Sequence, residues 1–175
     1  MGFHHLAIAT KDAKATHAFY TGAMGFELVK VEVARAGKRG WAKHLFYDTG
    51  NGELIAFWDL HDAGLRDDWS PALSDGLGLP HWANHVAFHA RDQGDLAARR
   101  LRWLDHGHDV MEVDHGWCTS IYTNDPNGIL VEFCTTTRAL DRADREEAAR
   151  LLDASSPALA EPKPPRMFRA ADHRR

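Results

Sequence analysis

The sequence predicts an α+β fold: two repeated βαβββ modules forming a shared metal-binding cavity, then a C-terminal helix and a proline-rich tail. Three observations carry that reading. The run H-H-L-A-I-A-T-K-D (His4 to Asp12) returns as N-H-V-A-F-H-A-R-D (Asn84 to Asp92), so His85 answers His5, Ala87 answers Ala7 and Asp92 answers Asp12. Each copy also ends in a glycine turn and an apolar strand, with Gly52 and Gly128 in matching places. The offset is 80 residues at the histidines and 76 at the glycines, and a long fixed period of this kind marks a duplicated unit.

Module one covers 1–58. Residues 3–9 alternate as a short strand, with Leu6 and Ile8 on one face and His5, Ala7 and Ala9 on the other. Asp12 can cap a helix running to about Met24, with Ala15, Phe19 and Gly22 along one side and Gly25 as its stop. Strands follow over 26–34, 41–48 and 53–58. Residues 59–80 have no periodicity and form a linker too long to be a simple turn. Module two covers 81–137. After the strand at His85 comes a helix over 94–105 with Ala97, Leu101 and Leu104 on one face, then a strand over 109–113. A hairpin completes it. Its turn, Asn124-Asp125-Pro126-Asn127-Gly128, has Pro to preset φ and Asn-Gly to tolerate positive φ. In 138–175 a helix from Asp141 to about Asp153 offers Ala148, Leu151 and Leu152 as apolar contacts. The following S-S-P-A-L-A-E-P-K-P-P-R is either a disordered tail or an arm laid over a partner.

Composition narrows the function classes. A net charge of −4 spread over both signs argues for neither nucleic acid nor an anionic membrane as partner. No apolar run reaches transmembrane length, and the N-terminus lacks a signal peptide's layout, so a cytoplasmic protein is expected. Cys118 and Cys134 are expected as reduced thiols.

The return strand after the turn is apolar except for Glu132, and a carboxylate there asks for a cation or a metal. Strand parity places Leu130, Glu132 and Cys134 on one face. His5 and His85 share their faces with small alanines, so packing of the two modules is expected to bring His5, His85 and Glu132 together. Two imidazoles and one carboxylate leave adjacent positions open on a metal, the arrangement of non-haem Fe(II) enzymes that bind substrate and O2 together. Trp82, Trp117 and Phe88 are available as apolar walls.

The F-Y-x-x-x-x-G-F run at Phe19 to Phe26 and D-P-x-G at Asp125 to Gly128 resemble the vicinal oxygen chelate superfamily of glyoxalases, fosfomycin- and bleomycin-resistance proteins and extradiol dioxygenases. The resemblance covers residues 1 to about 137. Val113, His115, Ile121, Tyr122, Asp125, Pro126, Gly128 and Glu132 match the extradiol ring-cleavage pattern. That resemblance implies Fe(II) on His5, His85 and Glu132, Tyr122 on a hydroxyl of a bound catechol, His115 near the same oxygen, and a homodimer. Ala56 stands where glyoxalases carry a fourth ligand. Extradiol enzymes place an acid–base histidine about fifteen residues before the second iron-bound one. Ser70 and Pro71 occupy that region here, with His81 and His61 the nearest substitutes. The rival readings are a Mn(II)- or other divalent-metal-dependent lyase, isomerase or thiol transferase, and a non-catalytic small-molecule-binding dimer.

Overall fold

The computed structural model describes residues 2–159, 161 and 163–173; Ala160 and Pro162 of the proline-rich stretch lie outside the described residues. In module one, β1 (His5–Thr10), α1 (Ala13–Ala18), β2 (Glu27–Ala36), β3 (Gly40–Asp48) and β4 (Leu54–His61) give a sheet in the order β1-β4-β3-β2. Module two repeats that order with β5 (His85–His89), α2 (Gln93–Asp105), β6 (Val110–Asp114), β7 (Cys118–Asn124) and β8 (Leu130–Thr136). In each sheet the first strand pairs parallel with the last, and the rest are antiparallel.

Local chemistry explains the boundaries. The Asp12 side chain accepts from the backbone N–H groups of Lys14 and Ala15, and that of Asp92 accepts from Asp95 N–H. The single helix expected up to Met24 is instead α1 followed by a π-helical turn, Phe19–Ala23. This wider turn carries Phe19, Tyr20 and Ala23 into the core together. Gly25 then reverses the chain at φ 76°. On α2 the buried residues are Leu96, Trp103 and Leu104, while Leu101 is exposed. The buried stripe is rotated from the expected one because Trp103, packed 5.3 Å from Phe133 between ring centres, takes the deepest position.

The inner faces of both sheets share one core. Ile8, Leu45, Tyr47, Ile55 and Phe57 of the first sheet join Val86, Ile121, Val131 and Phe133 of the second around the helical residues. Phe26 meets Phe88 at 5.0 Å and Phe133 at 6.3 Å, so the partly buried Phe88 packs against the core. A buried polar network crosses the same junction. Thr10 Oγ1 donates to Asn127 Oδ1 (2.8 Å), Asn127 Nδ2 donates to Thr16 Oγ1 (3.1 Å) and to Asp125 Oδ2 (2.9 Å), and Tyr20 donates its hydroxyl to Asp125 (3.2 Å).

The tail differs from both expectations. α3 (Arg142–Leu152) starts at an Asp141–Asp144 capping box but buries no residue, and Leu152 is 85% exposed. The contacts expected of Ala148, Leu151 and Leu152 therefore do not form. The chain then returns to its own module two. β9 (Arg166–Phe168) adds a fifth strand beside β6, and α4 (Ala170–His173) buries Ala170 against the core. Lys163–Asp114 and Arg169–Asp109 ion pairs, both 2.6 Å, fasten this arm. Among the described residues no helix is long and apolar enough to cross a membrane.

The polar junction yields a paired prediction. Asn127→Ala removes the amide that links the Thr10–Thr16 hydroxyl pair to the buried Asp125 carboxylate and should cost about 1–3 kcal/mol in urea unfolding. The repeat-equivalent Asn51→Ala, on an exposed turn, should stay within about 0.5 kcal/mol.

Candidate metal and substrate site

Turned away from the core, the outer face of sheet two carries His85, Ala87, Glu132 and Tyr122. The register is Ala87 opposite Glu132 and Glu132 opposite Tyr122, with His85 opposite Leu130. His85 Nε2 lies 3.2 Å from Glu132 Oε2. His85 Nδ1 donates to the Trp82 carbonyl (3.1 Å), which turns Nε2 toward the carboxylate. Glu132 is 4% exposed and, among the described residues, has no Lys or Arg paired with it. A buried carboxylate facing a solvent-accessible imidazole that is oriented by a backbone carbonyl offers two of the donors that a divalent cation takes. The donor set fits the metal that the sequence implies.

Beside this pair, the Tyr122 hydroxyl and His115 Nε2 are hydrogen-bonded at 3.1 Å, and the Tyr122 ring packs edge-on to His85 at 6.2 Å. Burial pushes the Tyr122 phenol up to about 12, with the Glu132 charge acting in the same direction. It stays a hydrogen-bond donor through the neutral range. Four of the five expected site residues therefore share one face.

His5 does not join them. It lies on the outer face of sheet one, its Nδ1 2.8 Å from Nδ1 of His4, and among the described residues no three His, Cys, Asp or Glu side chains in one chain are placed to hold a metal. The expected convergence inside one chain fails for a physical reason: the modules pack through their helix-bearing inner faces, so their outer faces do not meet. A cavity of about 230 Å³ does lie between the modules, lined by Phe3, Leu6 and Glu53 of one and His85, Ala87 and Phe88 of the other, but neither His5 nor Glu132 lines it.

Sequence reasoning missed what surrounds His5. The row Ala7–Ala56–Phe46 stands where module two has Ala87–Glu132–Tyr122. His44 packs 6.1 Å from His5 and stacks on Trp58 at 3.8 Å between ring centres. Its Nε2 is buried without a partner, and burial, then the neighbouring His5, holds its pKa below the usual value. The parity that places Phe46 on this face also places His44 there, and this was the available signal. Of the proposed acid–base substitutes, His81 is tied at both nitrogens, to Asp75 (3.1 Å) and Asn124 (2.7 Å), and His61 stacks on Trp41 on the inner-face side. Trp82 is largely exposed.

The family model for the Glyoxalase/Bleomycin resistance protein/Dioxygenase superfamily matches residues 2–133. The chain belongs to this superfamily. Among solved structures, lactoylglutathione lyase from Agrobacterium tumefaciens is 19% identical, with a TM-score of 0.53 over 77% of this chain and 92% of that one. A mutant of the fosfomycin resistance protein FosX from Listeria monocytogenes, complexed with Mn(II) and a dihydroxypropylphosphonic acid, is 20% identical, with a TM-score of 0.54 over 83% and 97%. TnmS3, an antibiotic binding protein from a Streptomyces species, is 15% identical, with a TM-score of 0.53 over 78% and 97%. Among curated protein sequences none matches. These likenesses establish the superfamily fold, whose members include metalloenzymes holding divalent ions.

The sequence has three tyrosines, and burial raises all of them: Tyr47 and Tyr122 to about 12, and Tyr20, also facing Asp125, well above its usual value. Because the folded pKa exceeds the unfolded value near 10, this contribution to stability is complete below pH about 10 and is lost as pH rises toward about 12. Phenolate absorbance at pH about 10 should be small in the folded protein and appear on adding denaturant.

Proposed function

We propose that this superfamily member is an extradiol-type dioxygenase, cleaving a catecholic ring with O2, and that it acts as a homodimer in which the partner's His5 completes the His85–Glu132 pair. The observation carrying the reading is the hydrogen-bonded Tyr122–His115 pair beside that metal-binding pair. A phenol that stays protonated beside an imidazole can donate to one oxygen of a diol while the imidazole supplies a proton to the phenol, which supports the catechol reading. The separation of His5 from the His85–Glu132 pair within one chain supports the second copy. Each chain presents two incomplete ligand sets on separate outer faces, and apposing sheet one of one copy with sheet two of another joins them.

Bound there, Fe(II) would supply chelation of two adjacent hydroxyls, acidify them and offer an adjacent position to O2. The rest is the work of side chains. His85 is held in the Nε2-ligating tautomer by the Trp82 carbonyl. Tyr122, protonated, donates to a substrate oxygen and fixes the ring's orientation. His115, whose Nε2–H then donates to the phenol oxygen, is placed to replace the proton that Tyr122 passes to the substrate. Across the interface the partner's Phe46 and Trp58 give apolar cover that keeps water from the ring.

Anaerobic loading with Fe(II) followed by a catechol panel in air should give a yellow ring-fission product with matching O2 uptake. Cleavage of no catechol, together with Mn(II)-supported thiol addition to an epoxide, would sink the proposal. Tyr122→Phe and His115→Ala should keep metal and lose about 100-fold or more in kcat. Alanine at His5, His85 or Glu132 should abolish metal binding. Heterodimers of His5→Ala with Glu132→Ala subunits should regain one of their two metal sites, because one interface then holds all three ligands; no recovery would refute the shared site.

A further inference from the structure

The C-terminal arm reaches the candidate site. Across sheet two, Met167 of β9 stands opposite Met111, Met111 opposite Tyr122, and Tyr122 opposite Glu132. Residues directly opposite in a ladder share a face, so this row runs from the arm to the metal-binding carboxylate. A cavity of about 520 Å³ lies along it, lined by Tyr122 and Leu130, walled by Met111 and Met167, and edged by His81 and Asn124. That volume falls within the roughly 300–1,000 Å³ of small-molecule clefts.

Its wall is chemically selective. Met111, Met167 and Leu130 are its uncharged part, and Met side chains adapt to and favour aromatic rings; the rest of the lining includes His108, Thr123 and Asp109, whose carboxylate is taken up by Arg169 and the Ala170 N–H. His81 and Asn124 are already bonded to each other, so the polar edge is committed to holding the linker. Met167 is 50% exposed, yet its strand is pinned on both sides, by Arg166 to Glu112 (3.0 Å) and by Asp109, which takes Arg169 (2.6 Å) and the Ala170 N–H (2.9 Å). A rigid strand thus holds an apolar side chain open over the cavity. The family match ends at residue 133, so the arm is an addition to the shared domain.

We propose that Met111 and Met167 form a subsite for an apolar, ring-sized substituent of the diol, and that the arm thereby sets the size of substrate accepted. The proposal rests on the diol reading of the site. It is tested by calorimetric binding to the anaerobic, metal-loaded protein, with catechol, a phenyl-substituted catechol and phenylacetate (the ring without the diol) as probes. The phenyl-substituted diol should bind about tenfold or more tighter than catechol. Met167→Trp, filling the cavity, should remove that advantage while leaving catechol within about threefold, and Met167→Ala should weaken the preference without lowering Tm. Equal shifts for both diols, or none, overturn the subsite. If neither diol binds but phenylacetate does, and its binding depends on Met167, the subsite stands and the diol reading falls. If no probe depends on Met167, the subsite is refuted whatever the chemistry of the metal.

Discussion

The junction between the two helix-bearing faces is the constraint from which the rest of the structure follows. Thr10 and Thr16 of module one are satisfied by Asn127 of module two, and Tyr20 by Asp125. These groups are buried, so leaving them unpaired is costly, and the pairing fixes one relative placement of the modules. Phe26 against Phe88 and Phe133 supplies the apolar half of the same contact. Once the inner faces are joined, both outer faces are left for other work. The turn Asp125–Gly128 thus has two duties. It reverses the chain ahead of Glu132, and it plugs module two into module one.

Duplication has left the modules alike in backbone and unlike in chemistry. The registers coincide row for row, yet Glu132 and Tyr122 answer to Ala56 and Phe46. Sheet two carries the carboxylate, the phenol and one imidazole, while sheet one contributes His5 within an aromatic setting of His44, Phe46 and Trp58. With Ala56 in place of a second carboxylate, the outer face of sheet one carries imidazoles and aromatic rings and no counterpart of the Glu132 charge. That asymmetry makes the division of labour between faces chemically sensible.

Strand parity was the legible part of this molecule. The alternation around His5, His85 and Glu132 assigns each to its outer face, and the repeat equates Ala56 with Glu132, because a period of two leaves little freedom once an element is known to be a strand. Which faces of two modules meet is a different matter. Parity is satisfied whether the modules join by inner or outer faces, and the deciding contacts, Thr10 to Asn127 and Tyr20 to Asp125, join residues more than 100 positions apart. The α2 stripe was misread because Trp103 was not counted among its apolar positions. The arm was unreadable for another reason: three residues, Arg166 to Phe168, pair as a strand through backbone groups and three ion pairs, which leave no apolar period in the sequence.

The linker, expected only as a long aperiodic segment, proves to orient the His85 imidazole. A turn closes with Ala83 N–H donating to the Pro80 carbonyl (2.9 Å), and it presents the Trp82 carbonyl to His85 Nδ1. His81 in the same turn is bonded to Asp75 upstream and to Asn124 at the end of β7. Asn84, the next residue, is held by Ser74 and Leu73. A segment so cross-tied behaves as a bracket and not as a lid. Its rigidity matters because rotation of the His85 ring would carry Nε2 away from Glu132, and a ligand pair whose separation drifts gives up much of its selectivity for the cation. The tyrosine hairpin, through Asn124, is tied to the same bracket, so the His85 imidazole and the strand that carries the Tyr122 phenol share one support.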